Sequence, residues 1–256
     1  MNNLKRIYES PLYIRNIENP SEEEKLQAVK RNGTVIRFIK NPSEEVKREA
    51  ILNNPMAVEY IEDLNEELSI LAVKLLWNSI KVIKNKTENI QKEAVKTKGW
   101  AIQFIENPSE EVQLLAVAKD YDSIKYIKEP NEKVQLEAIK TYWGAIRFIE
   151  KPTLNTKRAA IKADEEAINY IMDYSIEDLK VFVSDNINIV KYLHDSIDVE
   201  DVVEIIKKKI SAEEVDYKYF IDFIELEILE MNKIKFVYEF GSKNAKRILI
   251  DYKLSI

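Results

Sequence analysis

A unit of 22 residues recurs along this chain from Pro20 to about Asp173 without insertion or deletion, and self-similarity at a short fixed period restricts the fold to a stack of like units. The clearest stretch runs from Asn107 to Glu150, where Asn-Pro-Ser-Glu-Glu-Val-Gln-Leu-Leu-Ala-Val is followed one period later by Glu-Pro-Asn-Glu-Lys-Val-Gln-Leu-Glu-Ala-Ile. One column reads Ser21, Ser43, Asn65, Thr87, Ser109, Asn131, Thr153 and Ser175. All are residue types that cap a helix by accepting a backbone N–H, so every unit is predicted to restart a helix there. Carboxylates such as Glu44-Glu45 and Glu110-Glu111 follow in the first turn, where they oppose the positive end of the helix dipole.

Apolar columns then set the packing. Val46/Leu68/Ile90/Val112/Val134, Ala50/Ala72/Ala94/Ala116/Ala138/Ala160 and Ile51/Val73/Val95/Val117/Ile139/Ile161 lie at i, i+4 and i+5 on one helix face. The small side chain of the Ala column predicts the contact at which neighbouring units stack. After a break at Gly33, Pro55, Gly99 or a bulky aromatic, a shorter second helix carries Ile36/Val58/Ile80/Ile102/Ile124/Ile146/Ile168, Phe38/Tyr60/Val82/Phe104/Tyr126/Phe148/Tyr170 and Ile39/Ile61/Ile83/Ile105/Ile127/Ile149/Ile171, read as its apolar face. Neither helix buries its face alone, and stacking produces one continuous core. The fold class is therefore all-α: an α-solenoid of about seven to eight two-helix repeats over residues 1–195, followed by an acidic, mainly helical C-terminal module over 196–256.

These residues resemble short α-solenoid repeats, above all the leucine-rich-variant type with its Asp/Asn-Pro turn, Val-x-x-x-Ala-Val helix and short second helix, and more loosely HEAT repeats. The resemblance covers about residues 11–195 and departs from the leucine-rich-variant pattern in its 22-residue length and in lacking the second Pro in most units. The chain also resembles arrays in uncharacterised phage and low-GC bacterial proteins. The resemblance implies partner binding rather than catalysis, an analogy of fold alone.

The edges of the array carry further expectations. Residues 1–19 read as half a unit, through Ile14 and Ile17, and Glu24 and Thr156 stand where other units have Val, Leu or Ile, which reads as polar capping. Glu18, Lys40, Glu62, Lys84, Glu106, Lys128 and Glu150 alternate in sign along one column, predicting a ladder of opposite charges between adjacent units. Beyond Ser196, Val199–Ile210 and Ala212–Met231 read as two amphipathic helices, and the last 20 or so residues fit both a capped helix and an alternating strand.

Composition then narrows function. There is no cysteine, which excludes disulfides and thiolate chemistry and suits a reducing compartment such as the cytoplasm. The start shows no secretory leader and no run long enough to span a bilayer. Gly33, Gly99, Gly144 and Gly241 stand alone, so no phosphate-cradling loop is present; His194 is the single histidine, and no Ca²⁺-loop pattern occurs. No catalytic residue, metal or cofactor is expected. Residues 174–256 hold 17 acids against 12 Lys and Arg, leaving the array nearly neutral, an argument against a strong phosphate-binding footprint.

Three constellations remain as candidate partner-binding residues. Trp77, Trp100 and Trp143, with Tyr121 and Tyr142, fall in the break between the helices. Arg15, Arg37, Lys81, Lys125 and Arg147 share a column of the second helix, and Lys30, Lys74, Lys96, Lys140 and Lys162 share another. Acids including Asp198, Asp201 and Glu204 mark the C-terminal module. The expected function is a non-enzymatic scaffold or inhibitor binding a protein partner, by resemblance a phage protein acting in the host cytoplasm on a defence complex. The alternative is a solenoid that binds nucleic acid through its basic columns.

Overall fold

A computed structural model describes residues 3–193 and 196–255; the reading of His194 falls outside them. The described residues are helical throughout, with no strand. The chain divides into two compact units, residues 1–130 and 131–256.

In the first unit, α1 (Asn3–Glu9), α2 (Glu22–Arg31), α3 (Glu44–Asn53), α4 (Glu66–Leu75), α5 (Glu88–Thr97) and α6 (Glu110–Lys119) alternate with short 3-10 helices at Pro11–Asn16, Gly33–Phe38, Pro55–Tyr60, Trp77–Lys81, Gly99–Phe104 and Tyr121–Tyr126. Successive α-helices pack on one another, as do successive 3-10 helices. This is the two-helix repeat of an α-solenoid. The half unit read at the N-terminus is more than that, because α1 precedes its 3-10 helix and packs on α2.

The local cause of each element is visible at its caps. Ser43, Asn65, Thr87 and Ser109 each accept the backbone N–H three residues on, at 2.9–3.5 Å. Every long helix ends where one residue turns extended: Asn32, Asn54, Leu76, Lys98 and Asp120 have φ between −139° and −153°. That residue donates its N–H to the Ala carbonyl four positions back and also heads the 3-10 helix. At Asn32 and Asn54 the side chain caps the new helix, accepting from Thr34 and Met56 at 3.1 and 3.0 Å.

The Ala column is wholly buried, from Ala28 to Ala116 in this unit. A Cβ on Gly33 would stand 2.2 Å from the Ala50 carbonyl oxygen, and one on Gly99 would stand 2.4 Å from that of Ala116. The small residues therefore mark the close approach between one unit's 3-10 helix and the next unit's α-helix, as predicted.

In the second unit, α7 (Glu132–Thr141), α8 (Leu154–Ala163) and α9 (Ile176–Asp185) repeat the pattern with 3-10 helices at Trp143–Phe148, Glu165–Tyr170 and Ile187–Ile189. The short α10 (Val190–Leu193) follows, then α11 (Val199–Ser211), α12 (Tyr217–Glu225), α13 (Lys233–Phe240) and α14 (Lys243–Ser255). α11 packs on α9 as α8 packs on α7. Thr156 is no polar cap: it is fully buried, and its hydroxyl donates to Gln135 Oε1 at 3.0 Å. The single helix expected over 212–231 is shorter. Asp216 caps its start at Tyr217, and the Lys233 ammonium caps its end by donating to the carbonyls of Ile224 and Leu226. The tail resolves as helix.

The column Ala57/Ser79/Ala101/Ser123 is fully buried, and neither Ser79 Oγ nor Ser123 Oγ has a hydrogen-bond partner. A buried hydroxyl without a partner costs about 1–3 kcal/mol, and the neighbouring units show that Ala fits. Ser79→Ala and Ser123→Ala are each expected to raise stability by roughly 1 kcal/mol, read as a higher urea midpoint at unchanged slope.

Candidate functional site: the aromatic and basic face of the 3-10 helices

From Gly33–Phe38 to Tyr121–Tyr126, each 3-10 helix and the one or two residues after it turn two branched aliphatic side chains inward, such as Ile36 and Ile39 or Val58 and Ile61, all nearly inaccessible. The residues beside them are forced outward. The aromatic column read as core therefore lies partly at the surface: Phe38, Tyr60 and Tyr126 are each 37% exposed, while Val82, Phe104 and Phe148 are half-buried. The period was right but the face was wrong, because a six-residue 3-10 helix can bury only one ridge.

Cations of the preceding column lie on these rings. In the first unit the Arg37 guanidinium is 4.8 Å from the Phe38 ring centre and 5.6 Å from that of Tyr60. Lys125 Nζ stands 4.5 Å from the Trp100 ring and 5.1 Å from Tyr126. Arg15 and Lys81 are exposed on the same column. The second unit repeats the arrangement, with Arg147 at 5.6 Å from Phe148 and 5.2 Å from Tyr170, its Nε donating to the Gly144 carbonyl.

The tryptophans sit at the head of these helices, each half-buried against the aromatic residue of the next repeat. Trp77 stacks on Phe104 at 6.1 Å, and Trp100 meets Tyr126 edge-on at 6.4 Å. In the second unit Trp143 lies 6.3 Å from Tyr170 and 5.5 Å from the exposed Tyr142. They thus act partly as wedges between repeats and partly as surface. Tyr121 is half-buried, heading the same 3-10 helix as Asp122.

Trp100 is the most elaborated position. Its indole N–H donates to Asp122 Oδ1 at 2.7 Å, Lys125 pairs with the other oxygen at 2.9 Å, and Lys98 bridges to Asp120 at 2.8 Å. Burial pushes the Asp122 carboxyl up, but the hydrogen bond from Trp100 and the Lys125 ammonium outweigh it and hold the group below the ordinary aspartate range. The carboxylate stays ionised, and Lys125 is held over the ring.

Most residues of the other predicted constellations are held in ion pairs. In the second basic column, Lys74 and Lys96 both pair with Glu93, Lys140 with Glu137 and Lys162 with Asp185. Among the C-terminal acids, Asp198 stands exposed at the start of α11, Asp201 pairs with Lys180 at 3.0 Å, and Glu204 pairs with Lys207 at 3.5 Å. Two hollows in the second unit, of about 410 and 250 Å³, are bordered by charges already paired, including Lys218–Asp222, Lys162–Asp185 and Lys191–Glu165.

The predicted ladder of opposite charges also differs. None of Glu18, Lys40, Glu62, Lys84, Glu106 or Lys128 forms an ion pair among the described residues. Instead, each cap side chain reaches back to the first-turn glutamate of the preceding unit: Ser43 to Glu22, Asn65 to Glu44, Thr87 to Glu66 and Ser109 to Glu88. The Ser109 hydroxyl, helped by Lys92, holds the Glu88 carboxyl below the usual range. One cap residue thus serves its own helix and the joint to the one before.

Among the described residues no helix is long and apolar enough to cross a membrane. Comparison of the chain with protein-family models, with curated proteins and with solved structures returns no match.

Proposed function

We propose that this helical-repeat protein is a non-enzymatic scaffold that takes a protein partner on the face formed by its 3-10 helices. The observation that carries this reading is, within the first unit, the partly exposed rings of Phe38, Tyr60 and Tyr126 with a cation laid on each; the second unit by itself repeats the arrangement at Tyr170. A stacked core does not require aromatic residues at a position that stays more than a third open. Tyrosine, tryptophan and arginine are the residues on which interface energy concentrates.

The chemistry of the described side chains supports binding over bond-making. Those of their charges that are paired form pairs along helix surfaces rather than converging on one point. The finer assignment, a leucine-rich-variant or HEAT-like phage protein that blocks a defence complex in the host cytoplasm, rests on the resemblance of the repeat. The nucleic-acid reading draws on Arg15, Arg37 and Lys81, exposed cations with no carboxylate partner among the described residues.

Affinity capture from host extract tests the reading, using wild type and the double variant Tyr60→Ser/Tyr126→Ser. Both residues are exposed, so the variant is expected to keep the wild-type circular dichroism. A protein retained by wild type and at least tenfold depleted with the variant is the expected result. Equal retention by both places the partner on another surface, and capture abolished by nuclease favours nucleic acid.

A further inference from the structure

The 3-10 face of the first unit carries a charge pattern that the chain does not use internally. Flanking the column Phe38/Tyr60/Val82/Phe104/Tyr126, one position before and two after, are residues whose sign changes from one repeat to the next, with Val82 the one non-aromatic member and Gln103 the one uncharged neighbour. Arg37 and Lys40 are followed by Glu59 and Glu62, then by Lys81 and Lys84. The alternation continues with Gln103 and Glu106, a weaker acidic band, and closes on Lys125 and Lys128. All of these residues are exposed. Of these residues, Lys125 pairs with Asp122 on its own face; Arg37, Lys40, Glu59, Glu62, Lys81 and Lys84 have no ion-pair partner among the described residues.

Bands of this kind discriminate between classes of partner. A polynucleotide presents the same sign at every step and would lay phosphates against Glu59, Glu62 and Glu106. Its bases would also compete with Arg37 and Lys125 for the ring faces those cations cover. A polypeptide can alternate its charges and can place apolar side chains against the aromatic column between them.

Resting on the reading that the 3-10 face binds a protein, we propose that residues 33–128 take an extended polypeptide segment in which acidic and basic pairs alternate. Acidic pairs would face Arg37/Lys40, Lys81/Lys84 and Lys125/Lys128, and basic pairs would face Glu59/Glu62. The spacing follows from geometry. Packed helices stand about 8–10 Å apart, so bands of like charge recur every ~18 Å, which an extended chain rising about 3.3 Å per residue covers in roughly six residues.

Fluorescence anisotropy with the full-length protein tests this with labelled peptides of about 18 residues: three copies of Asp-Asp-Ala-Lys-Lys-Leu, and a control of identical composition in which acidic and basic residues alternate singly. The phased peptide is expected to bind at least about tenfold more tightly, an advantage that salt removes because the charges are exposed. Glu59→Lys/Glu62→Lys is expected to transfer preference to an all-acidic peptide without changing the melting temperature. Equal binding of the two peptides, no binding of either to folded protein, or tighter binding of a single-stranded oligonucleotide would overturn the proposal. If the peptides fail while partner capture still depends on Tyr60 and Tyr126, the charge banding fails and the binding face stands.

Discussion

Ala116→Glu is expected to cost the first unit more than about 4 kcal/mol and to leave it unfolded or aggregating at ambient temperature. Ala116 has no exposed surface, and its carbonyl oxygen would lie only 2.4 Å from a Cβ on Gly99 of the preceding 3-10 helix. A carboxylate there would enter a contact too close for a methyl group on the facing backbone, beside Val112 and Val117, both fully buried. The repeat offers no cation to that interior. Glu111→Ala, five residues earlier, is the contrasting change: among the described residues Glu111 pairs with Lys92 at 2.7 Å through an exposed carboxylate, and surface pairs contribute about 0–1 kcal/mol. Denaturation followed by circular dichroism separates the two. A melting temperature for Ala116→Glu within a degree of wild type would remove the Ala column from the stacking contact.

At the equivalent position of the last unit the expectation reverses, for Phe182→Ala should destabilise although it restores the residue every earlier unit carries. Phe182 is fully buried and packs edge-to-face with Tyr174 at 6.1 Å. Its loss leaves a cavity, and Phe→Ala changes in cores cost about 3–5 kcal/mol. The column requires Ala only where a like unit follows. The helix that packs on α9 from the C-terminal side of the chain is α11, a helix of 13 residues whose cap position, Asp198, follows Ser175 by one residue more than the repeat length. A urea midpoint within error of wild type would show that α9 closes onto its neighbours without the ring.

The candidate surface was less legible than the fold. Trp100, Lys125 and Arg37 could be listed from sequence because their residue types suit interfaces, yet the sequence gives no hint that Asp122 holds Lys125 over the Trp100 ring, since that triangle spans two repeats. Phe38, Tyr60 and Tyr126 were assigned to the core because aromatic residues at helical spacing usually are. A signal was present: Tyr shares that column with Phe, and Arg37, Lys125 and Arg147 directly precede Phe38, Tyr126 and Phe148. The second basic column illustrates the opposite error, for Lys74, Lys96, Lys140 and Lys162 share a helix position with nothing to show that a carboxylate one turn away or in the next unit claims each of them.

Properties that depend on near neighbours were readable from the residues alone. Period, caps, helix starts and the Ala contact all follow from residues within one unit, and repetition multiplies each signal until a single weak preference becomes a strong one. The tertiary structure decided what depends on which ridge of a short helix turns inward and on which unit a side chain reaches. It placed the aromatic column outside because Ile36, Ile39 and their equivalents fill the space beneath, and it left the alternating charges unpaired because the cap-to-glutamate hydrogen bonds join the units instead. Periodicity identifies the columns that share a face, but the distance between facing units determines which side chains meet.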